Sequence, residues 1–223
     1  MKTDSFKKAT ERVLHALKTD KKISVSSRMF KKLPNGKKLN MYVVTAKLLK
    51  DDRVIKFLAD WRQKSNLWFP SQFNVTMDGT KNWASSQLLK KKDRILFFLQ
   101  VEGEKEPFGH VGLYRFDYEK KSCEIDNVIR GENSESSKGG MTTGLQILID
   151  WTFKYLNIDN LYLKVFSDNT KAIKLYERLE FSEVNRVPLF KTINNGVVSW
   201  IEDNSKKQDT DRYFVTMQYG KRA

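Results

Sequence analysis

The sequence predicts an α+β fold, in which helices pack against a β-sheet. Three β-like segments, residues 94–102, 107–117 and 122–130, follow one another with no helical pattern between them. Helical patterns precede and follow this block, and the sequence contains no internal repeat. A chain of 223 residues is long enough to bury a substantial core as one large domain with attachments.

The first half of the sequence predicts an amphipathic helix over 5–18 and two β-like segments, 22–30 and 39–49. The turn signal Pro34-Asn35-Gly36-Lys37 joins these two segments. A second amphipathic helix covers 53–63, after the acidic pair Asp51-Asp52, which suits a helix N-terminus. The remaining predicted elements of this half are an aromatic-rich loop, 67–73, and a helix, 80–89.

The second half predicts a polar loop over 131–140 and a strong helix over 141–156. The inward face of this helix consists of Leu145, Leu148, Ile149, Thr152 and Leu156. The later predicted elements are a strand, 160–166, a short helix that carries Ala172, Ile173, Tyr176 and Leu179 on one face, and three β-like segments, 182–190, 197–202 and 213–219. Asn195-Gly196 marks a hairpin, and the polar run 203–211 is predicted to be an exposed loop.

The composition indicates a globular protein with affinity for anions. The net charge is +14, which suits nucleic acid, anionic lipid or a phosphorylated small molecule without choosing among them. The single cysteine, Cys123, permits no internal disulfide. The longest apolar run is short and the N-terminal stretch is charged throughout, so we expect a soluble cytoplasmic protein.

The loop "SSKGGMTTG" carries the first chemical signal. Gly139 and Gly140 permit a tight turn directly before the helix that begins near Met141. Free N–H groups at a helix N-terminus bind phosphate, and Lys138 adds positive charge. Taken alone, a glycine pair before a helix is more often a simple turn.

The segments "CEIDNVIRG", "KGGMTTGLQILIDW" and "LYLKVFSDNTKAIKLYERLEF" resemble the GNAT superfamily of acyl-CoA-dependent N-acyltransferases. This resemblance implies a GNAT-type mixed, mostly antiparallel central sheet with helices on both faces. It also implies an acyltransferase domain over 41–223, with a C-terminal hairpin, and an N-terminal helix and strand extension over 1–40. The expected reaction is direct acyl transfer to an amine in a ternary complex.

The resemblance also implies where coenzyme A binds. In the family, the fourth and fifth strands splay apart and admit the pantetheine arm. Two departures from the family pattern are Met141 in the loop and Glu180, where relatives usually have glycine to end the helix. The implied cofactor-binding residues are Val128, Ile129, Arg130, Lys138, Gly139, Gly140, Met141, Thr142, Thr143, Asn169, Ala172 and Tyr176.

Tyr176 and Asn169 have two interpretations. In the family reading, Tyr176 protonates or stabilises the departing thiolate, and Asn169 bonds the pantetheine or the loop. A thiol with a pKa near 8.5 needs little help in leaving, so a tyrosine hydroxyl is an adequate acid. In the alternative reading, Asn169 only caps a helix and Tyr176 is a core aromatic.

The general base is predicted among three residues. Glu124 and Asp126 alternate along one strand and point to one side, and Glu124 matches the position of the base in several histone-type relatives. The alternative is that one or both carboxylates pair with Arg or Lys. His110 is a third choice, because its ordinary pKa lies near neutrality. By contrast, we expect His15 at the surface and Cys123 in the core.

The acceptor is predicted from a narrower resemblance. "WRQ", "WFPSQF", "FGHVGL" and "EIDNVIRGE" look like bacterial GNAT enzymes that acylate nucleotide-linked amino-deoxysugars for surface-polysaccharide synthesis. Such an acceptor suits a basic chain with aromatics that stack on a base or sugar. The predicted substrate-binding residues are Trp68, Phe69, Phe73, Trp83 and His110, although the aromatics equally suit ordinary packing.

Other functions remain open at this point. A peptide or protein N-terminal acetyltransferase is the nearest alternative, and a GNAT domain that binds coenzyme A without catalysis is another. A nucleic-acid-binding protein is a different class, but the lysines are scattered and no recognition motif stands out. The acyl group is acetyl or larger, no metal is expected, and a homodimer is possible.

Overall fold

The computed structural model describes residues 2–203, 210 and 212–220 of the chain. Five α-helices occur in this described part: α1 (Lys2–Lys18), α2 (Asp52–Lys64), α3 (Met77–Trp83), α4 (Gly140–Leu156) and α5 (Thr170–Glu177). Its strands are β1 (Arg28–Lys32), β2 (Lys38–Val43), β3 (Ser71–Gln72), β4 (Ile95–Val101), β5 (Gly109–Asp117), β6 (Ser122–Arg130), β7 (Asn160–Phe166), β8 (Phe181–Asn194), β9 (Val197–Glu202) and β10 (Tyr213–Tyr219).

The strands form one sheet in the order β1-β2-β4-β5-β6-β7-β10-β8-β9-β3. Every neighbouring pair in the described residues is antiparallel except β6 and β7, which are parallel. The parallel pair follows from the connection, because a helix, α4, carries the chain back to the start of the next strand. The predicted α+β class with a mostly antiparallel mixed sheet is confirmed.

Helices cover both faces of this sheet. The larger core joins β-strand side chains to α1 and α4, and it includes Leu14, Phe97 and Leu148. The smaller core lies under α2 and includes Trp61 and Ile129. The predicted inward face of α4 is confirmed, since all five of its residues are buried.

The N-terminal helix is part of the larger core rather than a free extension. Leu14 and Leu17 of α1 are buried in it. Lys18 is only 1% exposed, and its ammonium group donates to the backbone oxygens of Leu88 and Lys91. Leu88 belongs to a π-helical turn over Ala84–Leu89 and Lys91 follows that turn, so the lysine ties α1 to this segment.

Several predicted boundaries were wrong in the first half of the chain. The strand predicted over 22–30 begins only at Arg28, because the Ser26 carbonyl accepts a hydrogen bond from the Trp151 indole rather than from a strand. The strand predicted over 39–49 ends at Val43 and is followed by a 3-10 turn. The loop predicted over 67–73 contains β3, which pairs with β9.

The helix predicted over 80–89 also begins earlier and changes type. Thr76 caps α3 by accepting a hydrogen bond from the Gly79 N–H at 3.0 Å, so helical structure starts at Met77. The second part, Ala84–Leu89, is π-helical rather than α-helical.

The C-terminal segment forms the predicted hairpin. Asn195 and Gly196 both have positive φ angles, 49° and 76°, which is the geometry of an Asn-Gly hairpin turn. In the predicted exposed loop 203–211, residues 204–209 and 211 lie outside the described residues. Among the helices that the structure describes, none is long and apolar enough to cross a membrane.

Candidate active site

The parallel strands β6 and β7 separate after four paired residues. Their pairing runs from Ser122 opposite Asn160 to Ile125 opposite Leu163. Beyond this point β6 continues to Arg130 and β7 to Phe166 without pairing to each other. A cavity of about 590 Å³ is lined by the separated strands together with the starts of α4 and α5. This is the splayed geometry that the sequence resemblance implies.

A β-bulge lies in the part of β6 that faces the cavity. Gly112 of β5 pairs with Asp126, whereas His110 pairs with Ile129, so two β6 residues oppose the single residue between them. The two bulge residues are Asn127, with a φ of +52°, and Val128, and both line the cavity. A bulge leaves part of the ladder unpaired, so backbone polar groups become available here.

The N-terminus of α4 forms one wall of the cavity. Gly139 adopts the left-handed conformation, with a φ of +78°, and Gly140 starts the helix. A Cβ on Gly140 would lie 2.5 Å from the Phe108 ring, so the helix start has no room for a side chain. Helix N–H groups at this end favour an anion. The same cavity is lined by three basic residues: Arg130 of β6, Lys171 of α5 and Arg178, which follows α5. Lys138 lies in the loop directly before the glycine pair.

Most of the predicted cofactor-binding residues come together in this lining. Ten of the twelve lie there: Val128, Ile129, Arg130, Gly139, Gly140, Met141, Thr142, Asn169, Ala172 and Tyr176. The two exceptions are Lys138, which is exposed at the loop, and Thr143, which is buried within α4. Met141 replaces the usual small residue; it is 9% exposed, packs in the larger core and also lines the cavity.

Tyr176 belongs both to the core and to the cavity. It is 7% exposed, packs in the larger core and lines the cavity at the end of α5. Burial raises the pKa of its hydroxyl, and the negative charge of Asp126 raises the pKa further. Tyr176 therefore keeps its proton at neutral pH, which is the state required of a general acid.

Asn169 caps a helix and also lines the cavity. Its side-chain oxygen accepts a hydrogen bond of 3.3 Å from the Ala172 N–H, and this bond caps α5. Asn169 lines the cavity as well.

The residue that follows this helical segment, Glu180, has a φ of +65°, which confirms the left-handed conformation considered for it from the sequence. Such a conformation costs about 1 kcal/mol or more for a residue with a side chain.

Glu124 and Asp126 both line the cavity, and each has an arginine nearby. Arg115 donates to Glu124 at 2.9 Å. The guanidinium of Arg94 lies 3.9 Å from an oxygen of Asp126, which also accepts a hydrogen bond of 2.7 Å from the Asn127 amide. The pairing with arginine considered from the sequence is therefore present, closely for Glu124 and loosely for Asp126.

His110 does not belong to the lining of this cavity. Its side chain is 2% exposed and lies against the Trp61 ring, with 5.9 Å between the ring centroids. Its Nδ1 lies 2.7 Å from the carbonyl oxygen of Asn127. Burial lowers the pKa of His110 to about 4, so the ring is neutral at physiological pH.

The predicted aromatic residues divide into two groups. Trp68 and Phe69 line the cavity, whereas Phe73 and Trp83 do not. Phe73 is 42% exposed beside β3, and the Arg62 guanidinium lies 3.8 Å from the Phe69 ring centroid and 5.2 Å from that of Phe73. Trp83 packs against the smaller core instead, which is the ordinary packing considered for it.

Several lining residues were missed by the sequence analysis. They are Arg115, Lys164, Phe166, Lys171, Arg178 and Phe214. Arg115 carried a usable signal, because it follows Tyr114, which pairs with Glu124 on the neighbouring strand. Phe214 carried none, since its place beside Phe166, at 4.9 Å between ring centroids, depends on a strand pairing across the chain.

Two expectations concern residues outside the cavity. Cys123 is fully buried, and burial followed by the charge of Glu124 raises its thiol pKa, as suits a core residue rather than a nucleophile. His15 is exposed on α1, as predicted. No group of three or more His, Cys, Asp or Glu side chains among the described residues could hold a metal ion.

The fold and the cavity define an acyl-CoA N-acyltransferase, and comparison with known families agrees. A family model described as an acetyltransferase (GNAT) domain matches residues 44–182, which is more than half of the chain. The chain therefore belongs to this family and is an acyl-CoA-dependent N-acetyltransferase.

Curated relatives of similar sequence are spermidine N(1)-acetyltransferases. The enzyme of Vibrio cholerae serotype O1 is 28% identical over 133 residues, which cover 60% of this chain and 74% of that enzyme. The enzyme of Escherichia coli K12 is 34% identical over 86 residues, which cover 39% of this chain and 44% of that enzyme. The match is therefore partial in both cases.

Solved structures support the fold. A crystal structure of spermidine N-acetyltransferase from Vibrio cholerae in complex with CoA and spermine has a TM-score of 0.58 at 18% identity, covering 81% of this chain and 94% of that one. A chimera of the Vibrio cholerae enzyme and hSSAT has a TM-score of 0.58 at 19% identity, covering 87% and 95%. These named relatives act on spermidine, so the narrower resemblance to nucleotide-sugar acyltransferases is not supported by them.

The lining residues suit the acetyl-CoA that the family uses. The α4 N-terminus with its glycine pair would hold the pyrophosphate, and Arg130, Lys171 and Arg178 add positive charge around it. When bound, acetyl-CoA supplies the activated acetyl thioester. The residues of this chain that would bind it line the cavity between β6 and β7, where Tyr176 keeps its proton and β6 carries the two carboxylates, Glu124 and Asp126.

Proposed function

We propose that the acetyl acceptor is the primary amine of a small molecule and that a polyamine is the first acceptor to test. The observation that carries this proposal is the shared cavity of Asp126 and Tyr176, a carboxylate and a protonated hydroxyl. A carboxylate attracts an alkylammonium group and can receive its proton. The spermidine acetyltransferases among the relatives support the polyamine class.

The proposed roles divide between β6, α5 and the segment that precedes β3. Asp126 receives the amine proton directly or through water, because Glu124 already accepts a hydrogen bond from Arg115. Tyr176 gives its proton to the departing thiolate. Trp68 and Phe69 lie beside the acceptor, with their rings available to its apolar carbons.

A nucleotide-linked amino sugar is the second candidate, and the charges of the lining favour it. The lining has five basic residues but only two carboxylates, and arginines lie near both carboxylates. Of the basic residues, Arg115 and Lys164 lie apart from the α4 N-terminus, on β5 and β7. A polyamine needs unpaired carboxylates, whereas a phosphorylated acceptor suits the basic side chains. Arg115 and Lys164 themselves pair with Glu124 and Glu202, so such an acceptor would compete with these two carboxylates.

One assay distinguishes the two candidates. Purified protein is mixed with acetyl-CoA and, separately, with spermidine, spermine, a panel of nucleotide-linked amino sugars and a peptide with a free N-terminus. Free thiol is measured and each product is weighed by mass spectrometry. One acetyl group added to spermidine supports the polyamine proposal, and acetylation of a sugar alone overturns it.

Arg115→Gln then tests the assignment independently of the panel. For a polyamine, loss of the arginine frees Glu124, so KM for the acceptor falls or stays unchanged. For a phosphorylated acceptor, the same change removes a cation and raises KM. Arg53→Gln is the matched control, because Arg53 is exposed and pairs with Asp51 away from the cavity.

The assembly state is a separate proposal. One related structure is titled as a dodecameric structure of the Vibrio cholerae enzyme, and it shares 18% identity with this chain. For this protein we propose a homodimer, which the sequence left open, as the first assembly to test. Sedimentation equilibrium over a range of concentrations measures the mass of the assembly, and a monomer throughout that range contradicts the prediction.

A further inference from the structure

The buried His110 of β5 contacts the bulge of β6 rather than the cavity. Its Nδ1 is 2.7 Å from the Asn127 carbonyl oxygen. A carbonyl oxygen only accepts hydrogen bonds, so Nδ1 must carry the proton and donate it. His110 is neutral at physiological pH, because burial lowers its pKa to about 4, and its Nε2 is therefore the nitrogen without a proton.

The bulge that His110 contacts reverses the faces of β6. Ile125 packs in the larger core and Ile129 in the smaller core, on opposite sides of the sheet. In a regular strand, residues four apart point to the same face. The extra residue of the bulge turns the side chain of Ile129 to the opposite face of the sheet. Asn127, within the bulge, has a φ of +52°.

The bulge lies next to Asp126, the proposed base, in the part of the cavity where we expect the thioester. Asp126 precedes it, Asn127 and Val128 form it, and all three line the cavity where the strands separate. Backbone N–H groups freed from a ladder can stabilise the negative charge that develops on a carbonyl oxygen. Such stabilisation depends on the donor being held in place before the reaction.

We propose that His110 is a positioning residue for acetyl transfer, which holds the Asn127 carbonyl and thereby fixes the β6 bulge against the thioester. The proposal assigns His110 no proton transfer to substrate, because its ring lies outside the cavity lining. It rests on the acetyltransferase activity of the family and holds for either proposed acceptor.

Two substitutions separate positioning from simple packing. In His110→Asn, the side-chain amide nitrogen occupies nearly the place of Nδ1 and can still donate to Asn127, but the ring that packs against Trp61 is lost. In His110→Phe, the ring remains but the donor is lost. Packing therefore favours the Phe variant, and positioning favours the Asn variant.

The expected result is opposite orders of stability and activity. We expect the Asn variant to have the lower melting temperature but to keep kcat within about threefold of the wild type, since a hydrogen bond of ordinary strength is retained. We expect the Phe variant to be the more stable of the two and to lose at least about tenfold in kcat, with KM for acetyl-CoA little changed. If the more stable of the two variants is also the one with the higher kcat, the proposal is overturned.

Two further readouts complete the test. If His110 is instead the general base, both variants lose the acidic limb of the pH–rate profile, and this result also overturns the proposal.

In the second readout, the affinities for acetyl-CoA and for CoA are measured by calorimetry without any acceptor. A loss of preference for acetyl-CoA in the Phe variant alone supports the proposal even when every tested acceptor is wrong, and equal preference in all three proteins contradicts it.

Discussion

Arg115 of β5 donates a hydrogen bond of 2.9 Å to Glu124 of β6, across the two strands that end at the cavity. Glu124 is therefore already engaged before any amine arrives. The nearest arginine contact of Asp126 is longer, 3.9 Å from Arg94. This difference distinguishes two carboxylates that the sequence pattern alone treats alike, and it is the reason why we propose Asp126 as the base.

Asp126→Asn is expected to lower turnover more than Glu124→Gln. We expect a loss of about a hundredfold in kcat for the Asn variant, because the base is removed, and less than about tenfold for the Gln variant. Asn keeps an oxygen that accepts the hydrogen bond from Asn127, so the bulge is preserved. Steady-state kinetics over a pH range measure both effects. The reverse order of losses assigns the base to Glu124.

Asp126→Asn also changes the ionisation of Tyr176. The charge of Asp126 raises the pKa of Tyr176, so its removal lowers that pKa and the tyrosine ionises at a lower pH. Ultraviolet titration of the Asn variant measures this shift, and the same titration in a Tyr176→Phe background identifies the signal. An unchanged titration curve places the carboxylate too far from Tyr176 to take part with it in proton transfer.

Tyr176→Phe is expected to lower kcat by about a hundredfold while KM for acetyl-CoA changes little. Phe keeps the ring in the core and removes only the hydroxyl that donates the proton. Tyr155→Phe is a suitable control, because Tyr155 does not line the same cavity. Turnover equal to that of the wild type restricts Tyr176 to core packing.

Gly140→Asp is expected to weaken acetyl-CoA binding by more than Gly140→Ala. Both side chains meet the Phe108 ring, and overpacking of this kind costs about 1–3 kcal/mol. Only Asp also places an anion at the α4 N-terminus, where phosphate is expected to bind. Calorimetric titration with acetyl-CoA compares the two variants. Equal affinities mean that steric effects alone act at this position.

The sequence predicted the elements that have strong local signals. The hydrophobic period of α4 and the Asn195-Gly196 turn are local properties, and both were confirmed. The capping of α5 by Asn169 was also predicted as one of its two readings, because a cap follows from the local pattern after β7. The order of elements was correct except for the two-residue strand β3.

The remaining features depend on contacts between distant segments. The pairing of β3 with β9 joins residues 71–72 to 198–199, and no local pattern indicates it. The role of His110 depends on a bulge in a neighbouring strand, which the alternation of Glu124 and Asp126 does not reveal. The predicted amino-sugar acceptor is not supported by the named relatives, since short motifs shared by many GNAT enzymes do not specify which amine the cavity admits.

Lys18 gives a prediction that is independent of catalysis. Burial lowers its pKa from 10.5 to about 8, so between these two values the unfolded chain holds a proton that the folded chain has released. The free energy of unfolding therefore rises with pH across this window, relative to a protein without the lysine. Below pH 8 both states are protonated, and the cost of burying the charge is fully present.

Lys18→Met is the variant that tests this linkage. Met keeps the apolar stem but leaves the carbonyls of Leu88 and Lys91 without their donor, so the variant is expected to be less stable than the wild type at pH 9. Urea denaturation at pH 7 and at pH 10 gives the stability difference between the two proteins. We expect this difference to grow in favour of the wild type at the higher pH, because the lysine is then buried without charge. A difference that is constant between pH 7 and pH 10 means that the ammonium group is solvated well enough to keep its ordinary pKa.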